Sequence, residues 1–178
     1  MARQPPIRLE PFTLAETARF LTSRQVRLTT YEMVTLSMVM GGIPMYLRDA
    51  EPGQSAAQII DASCFKKDGR LRNEFSKLYP ALFDHAERHI EIIRELAAHP
   101  QGRIRSRLTD ACSSDGRLST TLFELEEAGF VSAHQPFGKK TKDTLYRLTD
   151  EYSLFYLKWI EGRRPAAPGK FLRLQQSV

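Results

Sequence analysis

Apolar residues recur at helical intervals through most of the chain and give way to alternation only around residues 130–148. Thr13 and Glu16 stand at the spacing of a reciprocal cap, in which each side chain satisfies a free amide of the other residue, and this predicts a helix over Leu14–Ser23. Thr29 and Glu32 repeat the device ahead of Met33, Val34, Leu36, Met38 and Val39. That second helix should end at Gly41-Gly42, where glycine permits the chain to reverse, and Pro44 suits the start of the next element because no amide hydrogen is needed there. Ser55 and Gln58 open a third helix through Ile59, Ile60 and Phe65. After a polar break at 66–69, Leu71, Phe75, Leu78 and Leu82 mark another, which Pro80 is expected to kink or divide. Ile90, Ile93, Leu96 and Ala97 carry the next, ending near 99–102, and a short helix is expected over 103–111.

From residue 115 the pattern changes. Leu118, Leu122 and Leu125 share one helix face, capped at its start by the loop 112–115, and Gly129 stands where a left-handed residue would stop it. Phe130-Val131 begins a strand, and residues 144–148 alternate as its return partner. Between them, Pro136, Gly138, Lys139, Lys140 and Lys142 suit a solvated hairpin tip. A closing helix over 151–160 is rich in Tyr152, Leu154, Phe155, Tyr156 and Trp159. Helices, hairpin and closing helix in this order predict a winged-helix module. The expected fold class is mainly α, with an N-terminal helical bundle over 1–84, a winged helix of three helices plus a β-hairpin with its closing helix over 85–160, and a flexible basic tail over 161–178. Such modules usually read nucleic acid or dock on protein and seldom perform chemistry.

Composition narrows the class. A hydrophobic content of 42% with 26% charged residues is ordinary for a soluble globular protein. The longest uncharged run, 33–47, is interrupted by Gly41, Gly42 and Pro44 and falls short of the ~20 apolar residues that span a bilayer, so no membrane partner is expected. The N-terminus lacks the apolar core of a secretory signal, and Cys64 and Cys112 form no disulfide framework, which points to a reducing, cytoplasmic location. The net charge of +5 is spread along the chain rather than gathered. The helix after residue 117 sets Arg117 against Glu124, Glu126 and Glu127, so solvation and phosphate contact both stand as uses for the basic residues.

Motifs for chemistry are sparse. Gly138-Lys139 and Gly169-Lys170 both lack the upstream glycine and the following hydroxyl of a phosphate-binding loop, and no strand ends in paired acids for magnesium. Independent nucleotide hydrolysis is not expected. His85 and His89 lie four apart, but Glu87 falls on the wrong turn for a zinc protease and no third ligand is placed, so a surface pair without metal is expected. Cys112 and Cys64 read as partly buried structural cysteines rather than nucleophiles. The cluster Tyr152, Phe155, Tyr156 and Trp159 reads as core, with base stacking as the alternative.

Several ordered motifs resemble one family. These are residues 11–16 (PFTLAE), 40–47 (MGGIPMYL), 71–75 (LRNEF), 116–118 (GRL), 136–140 (PFGKK) and 152–159 (YSLFYLKW). They are similar, in this order and over roughly residues 7–160, to prokaryotic, archaeal-type AAA ATP-binding proteins of the group that includes the signal-transduction ATPases. The resemblance implies that 1–84 corresponds to the helical lid following a nucleotide-binding core, with Gly41, Gly42 and Pro44 nucleotide-proximal; a tight interhelical corner is the other reading of these residues. The core's phosphate loop and acidic strand, and the nuclease-like region that often follows, have no counterpart here. What is implied is a noncatalytic C-terminal part acting through its winged helix on duplex DNA or on a protein partner that carries an ATPase core. No cofactor is expected in isolation, and ATP only where a separate core is supplied. The rival expectation is an autonomous winged-helix DNA-binding transcriptional regulator, in which Arg117, Ser119 and Thr120 enter the major groove while Lys139, Lys140 and Lys142 grip phosphate. A pure protein-interaction role draws on Glu124, Glu126 and Glu127.

Overall fold

Local caps set the N-terminal helices of the computed structural model, which describes residues 9–112, 116–166 and 169–175. In α1 (Leu14–Ser23) the Glu16 carboxylate accepts from the Thr13 amide at 2.9 Å while the Thr13 hydroxyl accepts from the Glu16 amide at 3.3 Å. Thr29 and Glu32 repeat the pair ahead of α2 (Thr30–Met40). Gly41 and Gly42, at φ +61° and +68°, turn the chain into α3 (Pro44–Leu47). Ser55 and Gln58 cap α4 (Ala56–Ile60), which widens into a π turn over Asp61–Phe65. A 3-10 turn over Arg70–Arg72 and α5 (Phe75–Leu82) follow. The division expected at Pro80 falls instead at Asn73; Pro80 lies inside α5 and, so near its end, removes only the bond to the Ser76 carbonyl.

The second half begins with α6 (Ala86–Ala98). The helix expected over 103–111 starts late: Arg103–Ile104 is a strand, β1, and α7 spans Arg105–Ala111. Backbone pairing overrides the local pattern here, because Arg103 and Ile104 lie antiparallel to Tyr146 and Leu145. Residues 113–115 of the expected capping loop lie outside the described residues. α8 (Leu118–Glu127) ends at Gly129, φ +81°, where Phe130 N–H donates to the Leu125 carbonyl at 2.9 Å and Gly129 N–H to Glu126 at 3.0 Å. This doubly bonded stop uses the left-handed residue that glycine alone adopts without strain. β2 (Val131–His134) and β3 (Leu145–Leu148) then pair antiparallel, Val131 opposite Leu148 and His134 opposite Leu145. The sheet order is β1-β3-β2. Asp150 caps α9 (Glu151–Trp159) by accepting from the Ser153 amide at 2.7 Å.

The molecule is thus mainly helical with a small three-stranded antiparallel sheet. One core joins residues from both sides of Asp84. Phe75 stacks on Tyr156 with centroids 4.4 Å apart, Tyr46 packs on Tyr152 at 5.2 Å, and Tyr79 meets Phe130 at 4.9 Å. The polar tips are satisfied: Tyr152 hydroxyl donates to the Leu71 carbonyl at 2.6 Å, and Tyr79 hydroxyl bonds Ser153 Oγ at 2.8 Å. Within the α9 cluster, Tyr152 at 0% exposure and the buried Phe155 are spent on packing, while Tyr156 and Trp159 are half-buried.

Within the stretch expected as a flexible basic tail, α10 (Lys170–Gln175) is ordered against the core. The buried Asp61 carboxylate accepts from Gly169 N–H at 2.7 Å and Phe171 N–H at 2.9 Å, and the buried Phe171 ring packs on Phe155. An aromatic anchor and a carboxylate from a distant turn hold a segment whose own composition reads as linker.

Candidate nucleic-acid interface

The helix α8 is sorted by its own periodicity. Leu118, Thr121, Leu122 and Leu125 face inward, leaving Arg117, Ser119, Thr120, Phe123, Glu126 and Glu127 exposed. Arg117 stands at the N-cap position and is exposed, and as a pure donor it leaves the first amides of α8 without a side-chain cap. A helix start carries the positive end of the peptide dipoles and favours anions. Glu124, counted from sequence among the residues that repel phosphate, is bound instead by His89: Nε2 and Oε2 lie 2.8 Å apart. Glu126 and Glu127 are exposed in the last turn of α8, and the Glu124 side chain is half-exposed beside them.

His89 itself corrects the expected surface pair. It is 2% exposed and stacks on Phe83 with centroids 4.0 Å apart, whereas His85, at φ +58°, precedes α6 and is exposed. Among the described residues no group of three His, Cys, Asp or Glu is placed to hold a metal ion. Burial pushes the Cys112 thiol up to about 11 and that of Cys64 higher, which disfavours the thiolate at neutral pH.

The β2–β3 loop is pinned by its own bonds. Lys139 N–H donates to the Pro136 carbonyl at 3.1 Å, closing a tight turn with Gly138 at φ +72°. Gln135 Nε2 donates to the Lys139 carbonyl at 2.9 Å. Further on, Asp143 Oδ2 accepts from Lys140 N–H at 3.2 Å, and Thr144 hydroxyl donates to the Thr141 carbonyl at 2.7 Å. Lys139, Lys140 and Lys142 are all exposed on this framework. At its apex, Phe137 is fully exposed, at 105%. Neither this bare ring nor the His89–Glu124 contact was identified from the sequence. A phenylalanine set between the turn formers Pro136 and Gly138 was the available signal for the first.

The glycine-proline positions lie elsewhere, at the α2–α3 corner. A Cβ on Gly42 would stand 2.3 Å from the Phe12 carbonyl oxygen, and Phe12 N–H donates to the Gly42 carbonyl at 2.9 Å. A Cβ on Gly41 would meet Glu151 Oε2 at 3.0 Å, a carboxyl that burial holds above the usual carboxylate range. Pro44 is the first residue of α3. Backbone contact at Gly42 and a carboxyl at Gly41 account for the glycines as a packed corner.

An apolar cleft of about 960 Å³ opens between α2, the end of α6, α9 and α10, with Tyr31, Val34 and Met38 exposed along one stripe of α2. The Arg94–Glu161 ion pair, at 2.8 Å, lies on its rim. Among the described residues no helix is long and apolar enough to cross a membrane. No family model, no curated protein and no solved structure matches the chain.

Proposed function

We propose that the chain is the noncatalytic lid and winged-helix part of an AAA-type ATP-binding protein and acts by holding duplex DNA on α8 and the β2–β3 hairpin. The observation that carries the reading is the pairing of an α8 start with exposed Arg117, Ser119 and Thr120 with a self-pinned hairpin loop that exposes Lys139, Lys140 and Lys142. Helix α8 supplies a guanidinium and two hydroxyls for base edges, and the lysines neutralise phosphates. The acids of α8 all lie in its second half, at Glu124, Glu126 and Glu127, away from the helix start. In this reading the chain performs no chemical step, and ATP enters only through a separate core. Fluorescence anisotropy with a short labelled duplex at about 50 mM salt tests it. Saturable binding that weakens at least tenfold in the K139A/K140A/K142A variant is expected; no saturable binding contradicts it.

A second reading rests on the Tyr31, Val34 and Met38 stripe, because an apolar residue row on an exposed helix face favours a protein partner. Its occupant is a separate chain carrying an AAA-type nucleotide core, since α2 leads directly into the Gly41, Gly42 and Pro44 corner. A stable complex with such a core, lost on Met38→Asp, together with no duplex binding at low salt, would favour it over DNA. Failure of the complex to form removes it.

A further inference from the structure

Phe137 is the most exposed large apolar side chain among the described residues. Its backbone has little freedom: Pro136 fixes the entry to the turn, Gly138 takes the left-handed position, and two hydrogen bonds, from Lys139 N–H and Gln135 Nε2, close the loop. A ring presented in this way pays little ordering entropy on binding. Its surroundings select the partner. Lys139, Lys140 and Lys142 are exposed in the same loop, and Asp143, the loop's own acid, accepts from the Lys140 amide. An apolar tip on a loop that also exposes three ammonium groups complements a polyanion that offers an apolar slot beside its charges. Duplex nucleic acid does so at each base step, where a phenylalanine can wedge from the minor groove while lysines hold the flanking phosphates.

We propose that Phe137 is an apolar wedge that enters a base step of duplex DNA and bends it, with Lys139, Lys140 and Lys142 anchoring the adjacent phosphates. The inference rests on the DNA reading above and adds to it a mode of contact and a sequence preference. Unstacking costs least at pyrimidine–purine steps, so binding favours duplexes containing a TA or CA step over ones of equal length without them. Most of what the ring gains by leaving water is consumed by unstacking. Its removal therefore changes the shape of the bound duplex more than the affinity.

The test uses the full chain and a duplex labelled at both ends for energy transfer, with a central TA step or with none. Wild-type protein is expected to raise transfer on binding the TA duplex. Phe137→Ala is expected to bind about fivefold more weakly, with an unchanged salt slope and no rise in transfer. Phe137→Leu, which retains an apolar wedge, is expected to keep the rise. Since the ring is fully exposed, thermal melts of both variants should match wild type. If duplex binding is present and lysine-dependent but Phe137→Ala matches wild type in affinity and transfer, the wedge is overturned and the DNA reading stands. Absence of any duplex binding at low salt overturns both. Phe137-dependent binding to vesicles of phosphatidylserine without an effect on the bound duplex assigns the ring to a membrane surface and overturns the wedge.

Discussion

Aromatic residues occupy two opposite situations in this molecule. Across the junction between its halves, the rings of Tyr46, Phe75, Tyr79, Tyr152 and Tyr156 pack on one another, and burial pushes the phenols of Tyr46, Tyr79 and Tyr152 well above their ordinary value. Their hydroxyls are engaged, as in the Tyr152–Leu71 and Tyr79–Ser153 bonds. At the hairpin tip, Phe137 is bare and its neighbours are solvated lysines. The first set holds the fold, and the Phe137 ring is free of structural duty. Substitutions in the junction should therefore change stability, and substitutions in the hairpin should change binding with stability left intact.

The largest effect is expected at the junction. Tyr152→Ala removes a fully buried ring and leaves the Leu71 carbonyl without its donor, which should cost roughly 3–5 kcal/mol in urea unfolding. A loss below about 1 kcal/mol would mean that α9 does not unite the two halves. Gly42→Ala comes next: a left-handed φ of +68° and a contact of 2.3 Å to the Phe12 carbonyl oxygen leave no room for a methyl. A loss of roughly 2–3 kcal/mol is expected, measured in the same way. A neutral result would contradict the packed corner at Gly42.

Smaller, and dependent on pH, is Asp150. Burial raises its carboxyl above the ordinary aspartate value, and hydrogen bonds from Ser153 offset part of the rise. A raised folded-state value means that its favourable contribution is complete below the ordinary aspartate value of 3.8 and is lost as pH rises through the folded one. Asp150→Asn keeps an acceptor for the Ser153 amide and removes this loss. Thermal melts against pH should therefore show the variant gaining on wild type as pH rises through the carboxylate range, then a constant difference. A gain that grows toward acid pH would contradict the assignment. Asp150→Ala, which also deletes the cap, should lie about 1 kcal/mol below Asp150→Asn across the range.

Short-range devices were legible in the sequence because their partners lie within a few residues. Thr13 with Glu16, Thr29 with Glu32 and Ser55 with Gln58 all form the reciprocal caps their spacing foretold. Gly129 stops α8, and the β2–β3 hairpin falls where the alternation placed it. What was not legible depends on distant partners. Arg103 and Ile104 are a strand only because Leu145 and Tyr146 lie beside them, and nothing in their neighbours announces it. The segment around Phe171 reads as tail until the Asp61 carboxylate and Phe155 are brought to it. Likewise, helical spacing named His85 and His89 but not which would be buried; Phe83 and Glu124 decide that. At the candidate interface the lysines and the turn were readable. The exposure of Phe137 was not, because the absence of a covering neighbour is a property of the whole fold.

The effect on stability is expected to be smallest at the hairpin. K139A/K140A/K142A should stay within about 0.5 kcal/mol of wild type, since the loop's framework bonds come from its backbone and from Gln135, Asp143 and Thr144. The measurement that bears most directly on the account is duplex affinity for this variant and wild type across a salt series, with thermal melts alongside. Each phosphate neutralised adds about 0.9 to the steepness of log affinity against log salt, so the three changes should flatten it by up to about 2.7 while the melts coincide. Equal slopes for the two proteins, or no affinity for duplex at the lowest salt, would contradict it.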